Sequence, residues 1–169
     1  MMTHKKIDHD FKNQRLAYDA PPNYQPCIKL SFFFNKLPDV SYEQFHRHWE
    51  TVHADLTIAA KDFKLCRIQR YVQFHQTPEM KEKAKSLGLS HVDFDGCSEI
   101  WVKEWDDWMA FYNVGSMSPE YAKAMQPDCA HFMAMPINVM AGYDNLIFGH
   151  AIPGEGGKDG ITSEVLESR

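Results

Sequence analysis

Between Cys27 and Phe148 the hydrophobic period of the chain switches repeatedly between that of a strand and that of a helix, and the order of the switches leaves few folds open. Cys27 to Phe34 is a short, mostly apolar run closed by Asn35-Lys36-Leu37-Pro38-Asp39, a strand followed by a turn. Ser41-Tyr42-Glu43-Gln44 has the spacing of a capping box, after which Phe45, Trp49, Val52, Leu56 and Ala60 recur as the buried stripe of a helix. Leu65 to His75 alternates, with Arg67, Gln69, Tyr71, Gln73 and His75 on one face and Ile68, Arg70, Val72 and Phe74 on the other. Thr77-Pro78 is an N-cap before a first-turn proline, predicting a short polar helix over Pro78 to Leu87 that Gly88 stops. Asp95 to Lys103 reads as a third strand, and Trp105, Trp108, Met109 and Tyr112 mark the apolar side of the next helix. Ser118-Pro119 opens another helical turn that Pro127 is expected to interrupt, and Ile137 to Phe148 is the last strand, with Gly142 a bulge or twist point.

Strand, helix, strand, insert, strand, helix, strand is the split βαβ order of a ferredoxin-like α+β fold, an antiparallel four-stranded sheet with helices on one face. Aromatic and aliphatic residues occur on both sides of these strands, so the uncovered face needs a partner too. A second copy, sheet against sheet, closes a dimeric α+β barrel, and a homodimer is expected. The domain is placed at residues 27–152. Residues 1–26 are polar, contain Pro21, Pro22 and Pro26, and read as an arm, disordered or laid over a neighbour; residues 153–169 read as a flexible glycine-rich tail.

Charge and cysteine usage narrow the partners. With 18 Lys plus Arg against 23 Asp plus Glu, and no basic run longer than a pair, the chain is a poor binder of phosphate backbones, so no nucleic acid is expected. No apolar stretch approaches the roughly 20 residues that span a bilayer, and Met1 to Arg15 lacks an apolar leader core, so no membrane is expected either. Cys27, Cys66, Cys97 and Cys129 are scattered without a CxxC pair, which points to a reduced, cytoplasmic protein.

Histidine carries most of the chemical information. At 100° per residue, His46 and His53 share a helix face about 10 Å apart and His48 lies well round from both, so no tetrahedral metal site is expected from this run. His53 sits at the border of the apolar stripe, where partial burial suits proton transfer; the alternative is a histidine that braces the helix. His48 flanks the stripe on its other side, and His46 reads as a solvated residue. Tyr71, Gln73 and His75 align a phenol, an amide and an imidazole on one strand face, which meets either a ligand or water. Asp95, a turn residue before Gly96, is placed to orient His75 if the second and third strands lie close. Glu99 shares a face with Asp95, Cys97 and Trp101 and is a further buried polar candidate, and His131, beside Phe132 and Met133, is positioned to close a cleft. No nucleophile elbow, phosphate loop or dinucleotide fingerprint occurs, so no cofactor is expected.

Ser31-Phe32-Phe33-Phe34, Leu37-Pro38-Asp39-Val40-Ser41-Tyr42-Glu43-Gln44-Phe45 and His48-Trp49-Glu50-Thr51-Val52-His53-Ala54 resemble the opening of EthD-domain proteins of the dimeric α+β barrel superfamily. Arg70-Tyr71-Val72-Gln73-Phe74-His75, Asp93-Phe94-Asp95-Gly96-Cys97-Ser98-Glu99-Ile100-Trp101 and Pro119-Glu120-Tyr121 with Pro127-Asp128 are similar to the fungal atrochrysone carboxylic acid decarboxylase group. The resemblance implies a cofactor-free carboxy-lyase acting on an aromatic polyketide acid in secondary metabolism. In that reading His53 and His75 handle the proton and Asp95 orients one of them. Tyr71, Trp49, His48, His131, Gln73 and Glu99 are the substrate-binding candidates, and Arg70 either neutralises the substrate carboxylate or faces the dimer interior. The same scaffold implies as alternatives a cyclase, dehydratase or cofactor-independent monooxygenase on a similar substrate, or a non-catalytic partner of a pathway enzyme.

Overall fold

The strand-forming runs pair as an antiparallel sheet of four strands in the order β2-β3-β1-β4, in a computed structural model that describes residues 7–112 and 119–167. The strands are β1 (Tyr24–Lys36), β2 (Ile68–His75), β3 (Gly96–Val102) and β4 (Met133–Asn145). β3 lies between β1 and β2, with Leu30 and Tyr71 both opposite Ile100, and Phe34 and His75 both opposite Gly96. This is the ferredoxin-like arrangement. One face meets helices: Leu30, Ile100 and Val102 pack with Trp108 and Phe111, and Phe34 with Phe45, Trp49 and Phe132. The other face carries no helix contact of this kind among the described residues and presents Lys29, Arg70, Glu99 and Trp101, tied by a 2.7 Å Lys29–Glu99 ion pair and by both cations stacking on the indole.

The helices begin where the side chains dictate. Ser41 accepts the Gln44 backbone N–H at 3.1 Å and caps α1 (Tyr42–His48), a contact of the kind that contributes about 1 kcal/mol. The helix continues without a break into a π-helical turn (Trp49–His53) and then α2 (Ala54–Ala59), followed by α3 (Lys61–Leu65). Thr77 caps α4 (Pro78–Lys85), with Pro78 in its first turn, and Gly88 beyond it takes the left-handed φ of +68°.

The π-helical turn changes which residues are buried. A regular helix buries Phe45, Trp49, Val52 and Leu56; in the structure Val52 is 48% exposed, and the buried series is Phe45, Trp49, His53, Thr57. A turn closed by i→i+5 hydrogen bonds takes an extra residue, so the stripe advances in steps of four rather than alternating threes and fours. His53 and Thr57 thereby replace Val52 and Leu56 at the sheet. The Thr57 hydroxyl donates to the His53 carbonyl at 2.7 Å, which satisfies both groups inside the core.

Two further departures follow from local geometry. β2 starts at Ile68, and a register shift between Ile68 and Arg70 lets Ile68 join the helix-side cluster together with Tyr71, against the strict alternation expected. Arg67 has a φ of +49° and lies outside the strand. After α5 (Trp105–Tyr112), α6 (Pro119–Phe132) runs through Pro127 instead of stopping there, so the next residue, Asp128, is still helical. The expected cap Ser118 lies outside the described residues.

The chain divides into two compact units. One spans Pro26–Asp144 and contains α1 to α6. In the other, the segments before Pro26 and after Asp144 hold each other through polar ties. The Arg15 guanidinium donates to the carbonyls of Gly160 and Asp159, and the Asn23 amide to those of Leu146 and Lys158. A Cβ at Gly160 would stand 2.7 Å from the Ile147 carbonyl oxygen, so a larger residue there would break the approach. α7 (Ser163–Glu167) ends this unit. No helix among the described residues is long and apolar enough to cross a membrane.

Candidate active site

The helix-covered face of the sheet holds an open-mouthed cavity of about 240 Å³. Its wall is aromatic and sulfur-rich: Phe32, Phe34, Trp108, Phe111 and Tyr112, with Met125, Cys129 and Met133. The polar groups that reach it are His53, Thr57, Tyr71 and Ser98, and no Lys, Arg, Asp or Glu is among the described residues that line it. A few convergent polar groups in an apolar hollow is the usual composition of a small-molecule site.

His53 is the imidazole in this wall and is 7% exposed. Its Nδ1 lies 2.7 Å from Asp128 Oδ2. The other oxygen of the same carboxylate, Oδ1, lies 2.7 Å from Nε2 of His48. Five residues along a regular helix would put His48 and His53 about 140° apart; the wider π-helical turn between them closes that angle and lets both reach one carboxylate. Burial pushes the His53 pKa below the ordinary imidazole value, the Asp128 carboxylate opposes that, and the neighbouring His48 adds to it. A neutral His53 donating Nδ1–H to Asp128 keeps Nε2 as its basic nitrogen. Asp128 is the residue that sequence reasoning missed. The expectation that Pro127 breaks the helix hid the fact that Asp128 sits on the inward side of α6.

Tyr71 stands on β2 across the cavity from the helix. Burial raises its pKa, against the pull of the Gln73 amide and of neighbouring polar groups, so the phenol stays protonated. Gln73 does not line the cavity. Its Nε2 donates to the Tyr71 oxygen at 2.9 Å and to the Trp49 carbonyl at 2.8 Å, so the Tyr71 hydrogen is not spent on Gln73.

His75 belongs to a second cluster. Its Nδ1 lies 2.8 Å from Nδ1 of His46, its ring packs on Trp49 at a centroid distance of 4.3 Å, and it is not among the cavity-lining residues. Its Nε2 lies 3.3 Å from Gln73 Oε1. Donation there makes His75 Nδ1 the acceptor and His46 the donor in the pair. His46 is therefore half-buried and engaged, contrary to its reading as a solvated residue. The expected meeting of His53 and His75 in one hollow does not occur, because the extra residue in the helix turns His53 toward α6 while His75 stays at the strand end under α1.

Asp95 is buried, but it does not orient His75. Its backbone N–H donates to the Phe34 carbonyl, which directs the carboxylate toward β1, where Oδ2 accepts the Lys36 N–H at 2.9 Å and Oδ1 pairs with Lys81 at 2.7 Å. Trp49 lies wholly in the core, so close to β3 that a Cβ on Gly96 would stand 2.5 Å from its ring. Arg70 and Glu99 are on the helix-free face, away from the cavity, because each alternates with a cavity-side neighbour on its strand. His131 is exposed at the end of α6, 6.4 Å from His48 between ring centroids, and does not line the cavity.

His53, Asp128 and Cys129 place one donor atom each within 4.8 Å of one another, the nearest approach to a cation site among the described residues. Two nitrogen or oxygen ligands on one tetrahedral ion stand about 3.3 Å apart. The His53–Asp128 separation is that of a hydrogen bond, and burial followed by the Asp128 charge pushes the Cys129 thiol up to about 11, so it is a neutral S–H. The set is arranged for holding a proton.

The EthD domain profile matches residues 37–136, a span that contains His48, His53, Tyr71 and Asp128. The chain belongs to the EthD domain family. Several solved structures resemble this EthD domain protein in chain trace. A dimeric protein of unknown function with a ferredoxin-like fold from Bacteroides fragilis is 16% identical, over 72% of this chain and 99% of that one, with a TM-score of 0.42. An EthD family protein from Bacillus halodurans is 16% identical over 70% and 98%, with a TM-score of 0.43. The hydroxynitrile lyase from Passiflora edulis is 18% identical over 76% and 100%, also with a TM-score of 0.43. Comparison with curated proteins finds no match.

Proposed function

We propose that this EthD domain protein is a cofactor-free decarboxylase of an aromatic, polyphenolic carboxylic acid of polyketide type. The observation that carries the reading is His53, held by Asp128 in the wall of an aromatic-lined cavity that contains no fixed charge among its described lining residues. Such a wall favours loss of a carboxylate, because the anion becomes neutral CO₂ and its hydration is no longer needed.

The steps balance without a metal. A β-keto acid of aromatic polyketide type lies against the wall of Phe32, Trp108 and Phe111, with its carboxyl proton taken by His53 Nε2. Asp128 holds the ring in the required tautomer and stabilises the imidazolium that forms. The C–CO₂ bond breaks, its electron pair passes to the ring carbonyl oxygen, and the Tyr71 hydroxyl donates to that oxygen. His53 then returns the proton to the carbon that lost CO₂. Arg70, on the other face of the sheet, takes no part.

The helix-free face fits a second copy of the chain in this reading. Phe74 is exposed there, on the same strand face as Arg70, and a self-complementary sheet face gives a homodimer with one cavity in each subunit. Light scattering on the purified protein reads this directly: twice the chain mass supports the pairing, and a monomer removes it.

Incubation of purified, metal-free protein with polyphenolic carboxylic acids, followed by product mass, tests the activity. Loss of one CO₂ per molecule supports decarboxylation; loss of water, ring closure without mass change, or addition of oxygen would assign the cavity to one of the alternative reactions on the same acid–base set.

A further inference from the structure

His48 neither lines the cavity nor touches solvent freely, yet it takes half of the one carboxylate that, among the described residues, reaches His53. Its side chain is 22% exposed, against 5% for Asp128 and 10% for His53, so of the three it is the group that meets bulk protons first. We propose that His48 is a positioning residue that competes with His53 for Asp128, so that protonation of His48 lowers the proton affinity of the cavity histidine. Asp128 carries a single negative charge and offers one oxygen to each ring. When His48 is neutral, the full charge of the carboxylate supports an imidazolium at His53. When His48 is protonated, that charge is already compensated and a second cation would stand across one carboxylate from the first. The pair therefore titrates in two coupled steps rather than as two independent histidines.

The surrounding groups leave this competition intact. On α6 the neighbours are Cys129, whose thiol is neutral, and His131, in edge contact with the His48 ring. From α2 the packed group is Thr57, and from β2 across the cavity it is the protonated Tyr71. Phe132 packs against both rings, 5.0 Å from His48 and 5.2 Å from His53 between centroids, and shields the carboxylate between them. Among these described neighbours there is no second carboxylate to relieve the sharing.

The test is a titration of the histidine ring nitrogens by NMR in the whole protein, wild type and His48→Gln. Glutamine keeps a donor for Asp128 Oδ1 and removes the titrating charge. In the wild type, His53 and His48 should each show two inflections, separated by about tenfold or more in proton affinity. In His48→Gln, His53 should show one inflection, displaced to higher pH. Single, independent inflections in the wild type would overturn the proposal without recourse to any variant, and so would an unmoved His53 in a folded His48→Gln. The consequence for turnover rests on the decarboxylase reading: the acid limb of the rate profile should move to higher pH in His48→Gln with substrate binding retained. A protein inactive on every acid offered would refute that reading and leave the NMR result standing by itself.

Discussion

His53 Nδ1 and Asp128 Oδ2 are 2.7 Å apart, a contact between a π-helical turn and a proline-containing helix that lie 75 positions apart in sequence. His53 reaches the carboxylate because its turn is π-helical, and Asp128 is there to be reached because α6 runs on through Pro127.

Replacing Asp128 by Asn keeps the shape and inverts the chemistry. The amide can donate to His53 Nδ1 and so favours the tautomer with Nε2 protonated, the wrong one for a base. Turnover should fall about a hundredfold or more, while ligand binding followed by Trp108 fluorescence stays near wild type. Equal losses in binding and turnover would show that Asp128 merely holds the wall in place.

Tyr71→Phe removes the one donor on β2 that faces the cavity and leaves Gln73 Nε2 bonded to the Trp49 carbonyl. The loss should appear in kcat, by about 10²-fold, with little change in KM. A change confined to KM would place Tyr71 in binding alone.

Stability should rise with pH across the acid range. Burial lowers the pKa of His46, His53 and His75, with His46 adding to the effect at His75. Each ring is then neutral in the folded state while its unfolded counterpart takes up a proton near pH ~6.5. Below that pH the unfolded chain binds more protons, so stability declines as pH falls through the unfolded value and stops declining only below the folded ones. Melting temperatures measured from pH ~7.5 down to ~5 should drop, and His46→Gln with His75→Gln should flatten the slope. A pH-independent melt would mean that these rings are solvated.

Gly96→Ala tests the core beneath the site. Its Cβ meets the Trp49 ring at 2.5 Å, and Trp49 is fully buried with Phe34 and Phe45 around it. The variant should lose about 1–3 kcal/mol, read as a lower melting temperature, because neither the strand nor the indole has room to move. An unchanged melt would contradict that packing.

The arrangement of strands was legible because strand and helix periods are properties of adjacent residues. Phe32, Leu30 and Ile100 alternate as a half-buried sheet must, and Ser41 and Thr77 announce helix starts by side-chain chemistry alone. The site was legible in part. His53 stood out at the border of an apolar helix stripe and Tyr71 on a polar strand face, and both line the cavity. What a fixed 3.6-residue period cannot carry is the π-helical turn, which moves His53 inward and brings His48 round to the same carboxylate. The step from Phe45 to Trp49 to His53 to Thr57, an aromatic or hydroxyl-bearing side chain at every fourth position, is the one trace of it in the sequence. The partners of His75 and Asp95 were missed for a different reason. Both residues lie at strand ends, where the nearest side chains come from elements far away in sequence, such as His46 and Lys81.

Of the two histidines the sequence singles out for proton transfer, only His53 borders the cavity, and a single comparison decides between them: the rate of CO₂ release from a polyphenolic acid by purified His53→Ala and His75→Ala proteins. His53→Ala should be inactive and His75→Ala should keep most of the wild-type rate; a working His53→Ala, or a dead but folded His75→Ala beside it, would contradict the assignment of His53.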